Sequence, residues 1–286
     1  MNQTTIKESC VLTGGVGLHS GKKTAIYFYP APANHGIQFL RSDKSTTIPA
    51  TYQYAESSAL CTTIAKNEIK ITTIEHVMSV CNGLGLDNVL IEITEEEVPI
   101  LDGSGLFFYQ KLSQVGVKIL DKPKKVIRIT DTVSYNKDNV AIYITPSNQP
   151  VFTFSIEYEH QQIGHQEYTF HLNETNYKDQ IVQAKTFCLE KDIQKMQDMG
   201  LIKGGSKESA IILNNNGEVD NMEVMTWLNE PNLHKILDQV GDFYLANNLR
   251  IIGNTYSHKS GHATNLAFIT HLMDECQNKY IIEEDI

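Results

Sequence analysis

The run LHKILDQVGD beginning at Leu233 places His234, Asp238 and Asp242 four residues apart. At 3.6 residues per turn such positions share one edge of a helix. Leu233, Ile236, Leu237, Val240 and Tyr244 form an apolar stripe beside that edge. The imidazole and carboxylates are therefore either a solvated helix edge or groups that converge on something. A His/Asp pair at i, i+4 has the spacing to chelate a divalent metal from one helix face, although the spacing itself is common.

A second candidate is the run TTIEH ending at His76. Thr72 followed three residues later by Glu75 reads as a capping box, its carboxylate turned back to the helix start. The same pair, Glu75 and His76, also reads as a proton acceptor beside a metal ligand. Joined with His234 and Asp238, His76 would supply a third ligand and leave a fourth position open, the arrangement of a catalytic zinc site. A closed structural site would need a fourth ligand such as His19 or His258. A third candidate is the run SHKSGH ending at His262, where Gly261 permits a tight turn and Lys259 offers an anion contact. Its plain alternative is an ordinary polar loop. The glycine-rich run GGVGLHSG from Gly14 to Gly21 fits neither nucleotide-binding glycine pattern and reads as a turn between strands. Cys61 reads as a small buried thiol.

The elements that must carry these groups are legible in the periodicity. Period-2 alternation predicts strands over 24–29, 36–40, 88–93, 126–129, 140–144 and 151–158. Helical spacing covers 73–82, 107–115, 189–199, 233–245 and 263–273. Strands and helices interleave without a βαβ rhythm, which predicts an α+β layered architecture. A charged, proline-bearing stretch over 117–125 divides the chain into domains at 1–120 and 126–286. The 286 residues, 41% hydrophobic and 20% charged, suit a folded protein of one large or two medium domains. A net charge of −10 argues against a nucleic-acid partner. Five scattered cysteines without a C-x-x-C pair, no apolar leader and no long apolar run predict a cytoplasmic protein.

Taken together, these segments resemble the UDP-3-O-acyl-N-acetylglucosamine deacetylases, zinc enzymes of lipid A biosynthesis. The matching runs are GVGLHSG (15–21), LCTTI (60–64), TTIEHVMSVCNGLGLDNVLIEI (72–93), VPILDGSG (98–105), KTF (185–187), GLIKGGSKESAI (200–211), HKILDQVGDFYL (234–245) and HKSGHATN (258–265). They keep the family's order over most of the chain.

The resemblance implies two similar α+β domains, each a sheet layered with helices, with the active site between them. It implies His76, His234 and Asp238 as ligands of Zn2+, a donor set that also suits Fe2+. By the same resemblance Glu75 is the general base, His262 the second catalytic imidazole, Asp242 its orienting carboxylate and Thr186 a hydroxyl beside the reacting centre. Phe187, Lys235 and Lys259 match substrate contacts, and Leu201, Gly205 and Ser206 lie in an acyl-passage insert placed around 190–212. The implied reaction is hydrolysis of the N-acetyl group of a UDP-linked acylated amino sugar, the committed step of lipid A biosynthesis. Peripheral contact with a membrane surface and a monomeric state are further expectations. A zinc amidase for another N-acylated sugar, or a non-catalytic homologue, are the rival readings. The chain departs from the family at Lys185, where arginine is usual, at Cys188 in place of glycine, in the run EPNL before His234, and in the additional Gly14.

Overall fold

A computed structural model describes residues 1–58 and 60–285. Ile286, the last residue of the expected second domain, lies outside them. The first half runs β1 (Asn2–Ile6), β2 (Cys10–Val16), β3 (Lys23–Pro30), β4 (Ile37–Arg41) and β5 (Thr46–Pro49). A small sheet of β6 (Ala55–Glu56), β7 (Thr63–Lys66) and β8 (Ile69–Ile71) comes next, then α1 (Glu75–Gly83), β9 (Val89–Ile93) and α2 (Leu106–Val115). After β10 (Val117–Pro123) the second half runs β11 (Lys125–Ile129), β12 (Val133–Lys137), β13 (Val140–Thr145), β14 (Val151–Glu157) and β15 (His165–His171). The single-turn α3 (Glu174–Asn176), β16 (Phe187–Leu189), α4 (Glu190–Asp198) and β17 (Ile211–Leu213) follow. The chain closes with α5 (Glu230–Phe243), β18 (Arg250–Ile252), β19 (Asn254–His258), α6 (His262–Glu275) and β20 (Tyr280–Glu284).

The two halves share one topology. The first sheet has the order β2-β3-β9-β4-β5 and the second β12-β13-β19-β14-β15, so by rank each reads 1-2-5-3-4. In both, only the fifth strand pairs in parallel, with the third. Each fifth strand lies between two helices in sequence, α1 and α2 in one half, α5 and α6 in the other. The expected fold of two similar α+β units is therefore the one observed.

Alternation explains the sheets. In β3, Ile26 and Phe28 are fully buried while Tyr27 and Tyr29 face outward. Helix α1 is buried along its whole length, and α5 is buried everywhere except at Lys235. Two helices so enclosed must pack on each other as well as on the sheets. Pro231 in the first turn starts α5 three residues before the expected Leu233, since proline needs no intrahelical partner there.

The insert is also larger than expected. β16 pairs in parallel with β17, Phe187 opposite Ile211 and Leu189 opposite Leu213. Parallel neighbours need a crossover, here α4, so the βαβ unit spans Phe187–Leu213 and residues 200–210 are its return loop. No helix among the described residues is long and apolar enough to cross a membrane.

Candidate metal and proton-transfer site

The site forms where the N-terminus of α1 meets the middle of α5. Thr73 precedes α1 with φ 60°, and its hydroxyl donates to Glu97 Oε1 at 3.1 Å. Glu97 also accepts from the backbone N–H groups of His19 and Ser20, at 2.8 and 2.7 Å, which fastens the glycine-rich turn beside the helix. The capping box expected from Thr72 and Glu75 does not form. Thr72 is engaged in a β-bridge with Glu97, α1 starts after Ile74, and no side chain caps it. Glu75 Oε2 instead accepts from the Thr62 N–H at 2.9 Å, turning the carboxyl into the interior.

His76, His234 and Asp238 each present a ligand atom within 4.8 Å of the others, and they are the one such group among the described residues. Their exposures are 4%, 2% and 2%, which excludes a solvated helix edge. His234 Nδ1 lies 2.9 Å from the Ala184 carbonyl, so that nitrogen carries the hydrogen and Nε2 keeps its lone pair. Nε2 points at Asp238 Oδ1, 3.2 Å away, and His76 Nε2 stands 3.7 Å from the same oxygen. Burial, with His234 beside it, depresses His76 to about 3; burial also lowers His234. Burial thus works against charge on both rings. Burial would raise Asp238, but His234 and Lys235 outweigh it and hold the carboxyl well below its usual range. Asp238 Oδ1 is buried without a hydrogen-bond partner, a costly state for a carboxylate oxygen. Two buried imidazoles facing one orphaned carboxylate oxygen fit a divalent metal. Neither His19 nor His258 belongs to the group, and His258 Nδ1 is instead 3.1 Å from Ser155 Oγ.

Three further titratable groups, Glu75, Asp242 and His262, stand beside these residues. His262, the first residue of α6, has Nδ1 3.0 Å from Asp242 Oδ2 and Nε2 4.0 Å from Glu75 Oε1. Asp242 is itself fixed by the Thr62 hydroxyl at 2.5 Å and by Asn265 Nδ2 at 2.8 Å. Burial opposes charge on His262, yet Asp242, Asp238 and Glu75 prevail and push it up to about 10. Burial pushes Glu75 up to about 8, against the pull of His262. An imidazole and a carboxyl, both held above their usual ranges, therefore stand 4.0 Å apart beside the three-residue cluster.

The other residues singled out from sequence fall around this centre. Thr186 and Phe187 line two adjoining cavities of about 470 and 330 Å³, separated by the chain at β16 and by Met196. Gly205 and Ser206 line the smaller one, whereas Leu201 lines a third cavity of about 500 Å³ that includes Cys61 and shares His19 with the smaller one. Lys235 donates to Asp238 Oδ2 at 3.0 Å and lies 5.8 Å from the centre of the Phe187 ring. Lys259, at φ 54°, pairs with Glu157 at 2.5 Å. Both lysines line a cavity of about 220 Å³ with Tyr158 and Ser260, whose buried hydroxyl has no partner.

Sequence reasoning assigned no role to Thr62, Asn265 or the Ala184 carbonyl. Thr62 and Asn265 lie inside runs matched to the family, so their position was visible. The Ala184 contact is made by a backbone oxygen, which leaves no residue-type signal. Lys185, the departure from arginine, reaches Asp102 of the other half at 3.3 Å.

A family model described as LpxC, UDP-3-O-acyl N-acetylglycosamine deacetylase, matches residues 3–274. The chain belongs to that family. It is a deacetylase, a hydrolase. It is 33% identical over 285 residues to the UDP-3-O-acyl-N-acetylglucosamine deacetylase of Campylobacter hominis, covering 100% of this chain and 96% of the relative. The Sulfurimonas denitrificans protein of the same name is 35% identical over 283 residues, 99% of this chain and 95% of that one. The Helicobacter pylori (strain 26695) protein, also of that name, is 33% identical over 282 residues, with 99% and 95% covered.

Proposed function

We propose that the chain hydrolyses the N-acetyl group of UDP-3-O-acyl-N-acetylglucosamine, releasing acetate and the free amine, at the committed step of lipid A synthesis. Family membership and the relatives' names support the substrate. The observation that carries the chemistry is that Glu75 and His262 stand 4.0 Å apart beside a three-residue cluster, His262 Nε2 being 3.8 Å from Asp238 Oδ2. His76, His234 and Asp238 would hold zinc or ferrous iron. When bound, such an ion acidifies water, polarises a carbonyl oxygen and draws the Glu75 carboxyl toward its ionised form.

Glu75 takes a proton from the attacking water, its carboxylate aimed by the Thr62 N–H. The oxyanion that develops on the acetamide meets the Thr186 hydroxyl and the His262 imidazolium, two donors in a site sheltered from water. Asp242 keeps His262 charged and correctly turned. The leaving amine collects its proton from the Glu75–His262 pair. The cavity by Gly205 and Ser206 takes the acyl chain, and Lys235, Lys259 and Ser260 face the charged part of the substrate.

The test is metal content and initial rate measured together on wild type and Glu75→Ala. One ion per chain in both, with hydrolysis of UDP-3-O-acyl-N-acetylglucosamine lost only in the variant, supports the reading. A metal-loaded wild type that cleaves simple N-acetyl sugars but spares this substrate would transfer the chain to another amidase class.

A further inference from the structure

The end of α1 remote from Glu75 is held by the second half of the chain. The Asn82 backbone carbonyl accepts from Arg250 Nη2, and Asn82 Oδ1 accepts from Arg250 Nε at 3.1 Å. The remaining polar atom of that amide, Nδ2, donates to the Val240 carbonyl of α5 at 3.0 Å. Val240 lies midway between Asp238 and Asp242. One residue on, Gly241 brings the two helices into backbone contact. A Cβ there would collide with the Glu75 carbonyl oxygen and stand 2.9 Å from Ser79 N. Close by, Lys124 Nζ donates to the Gly85 carbonyl at 3.1 Å and pairs with Asp87 at 2.9 Å. Cations at a helix C-terminus also complement its macrodipole.

We propose that Arg250, acting through Asn82, is a positioning residue that fixes the register of α1 along α5, and so sets where Glu75 and His76 stand relative to His234 and Asp238. The inference rests on the reading of the site given under Proposed function. A helix of nine residues is a rigid rod about 13 Å long, so a slide at one end is passed to the other. At Gly241 the backbones already touch, so the helices can come no closer, and the bonds at Asn82 are the ones that resist a slide along the axis. The guanidinium fork supplies two parallel donors to the two oxygens of a single residue, which a lysine cannot do. A displacement near 1 Å at reacting groups costs about 10²-fold in rate. Loss of groups that orient metal ligands costs about 10–100-fold in metal affinity.

The variants are Arg250→Met, Arg250→Lys and Asn82→Asp, with Arg128→Met as a control that removes the Arg128–Glu283 pair of the β11–β20 edge. The readouts are zinc affinity by chelator competition, the visible spectrum of the cobalt(II)-loaded protein, and kcat and KM, at a temperature where circular dichroism shows each variant folded. Arg250→Met is expected to lower zinc affinity about 10–100-fold, alter the cobalt spectrum and cut kcat about 100-fold, with KM within about twofold. Arg250→Lys should stay impaired despite its charge. Asn82→Asp keeps the acceptors for Arg250 but loses the Val240 bond, and it should show the same spectral change even if Arg250→Met does not fold. Wild-type zinc affinity, cobalt spectrum and kcat in the folded variants overturn the proposal while leaving the function standing. A wild type that neither holds zinc nor hydrolyses the substrate removes the function and this inference together.

Discussion

At the scale of single residues, what separates a working group from a structural one here is which atoms are left over after hydrogen bonding. Glu75 spends Oε2 on the Thr62 N–H and keeps Oε1 toward His262. Glu75→Gln should therefore retain its metal and lose about 10²–10⁴-fold in kcat, the usual scale for a general base, as read from rate and metal content on one preparation. Asp242 holds His262 in place, so Asp242→Asn should lower kcat by about 10²-fold or more with little change in KM, measured from rates over a range of substrate concentrations. Cys188 makes a different prediction. Burial pushes its thiol up to about 11, far from the ~8.5 of a free cysteine. Only the thiolate reacts, so alkylation of Cys188 should be slow at pH 8 and rise about tenfold per pH unit below 11, followed by peptide mass spectrometry. Rapid alkylation at pH 8 would mean that the cavity wall at β16 is open to water.

Among the secondary-structure elements, α4 acts as a divider. Met196 borders both cavities beside β16, so its side chain governs how much apolar chain either can take. Met196→Trp should raise KM at least about tenfold for substrates with a long acyl chain, since each CH₂ kept from burial costs about 0.8 kcal/mol and about two suffice, and spare short-chain analogues. Competition between the two substrates in one reaction would measure this. How much of this was legible in sequence follows from the kind of signal each element carries. The α5 edge was visible because i, i+4, i+8 is a local pattern, and the helices were placed by their apolar stripes. The start of α1 was misread because a β-bridge to Glu97, 25 residues away, took Thr72 out of the cap. The insert was misplaced at its front because β16 is only three residues long and is defined by a partner at 211–213. Short strands and backbone acceptors depend on distant neighbours, which periodicity does not encode.

For the whole molecule, the decisive feature is that the site is assembled across both halves. Helix α1 supplies Glu75 and His76; α5 and α6 supply His234, Asp238, Asp242 and His262. Since α1 and α5 share one buried apolar core, thermal unfolding should be a single cooperative transition by calorimetry. Two resolved transitions would contradict a shared core. Metal bound only by the native state at about 1,000 times its Kd adds about 4 kcal/mol, so stripping it should lower Tm by roughly 7 °C for a chain of this length. The matched strand order of the halves carries one more consequence. Each half begins the helix before its fifth strand with a glutamate, Glu75 in one and Glu230 in the other. Glu230 gives both oxygens to the backbone, Oε1 to the Lys185 N–H and Oε2 to those of Thr226 and Trp227. A glutamate with both oxygens tied to the backbone can only brace its loop, whereas one that keeps Oε1 toward an imidazole still has an acceptor to offer a proton.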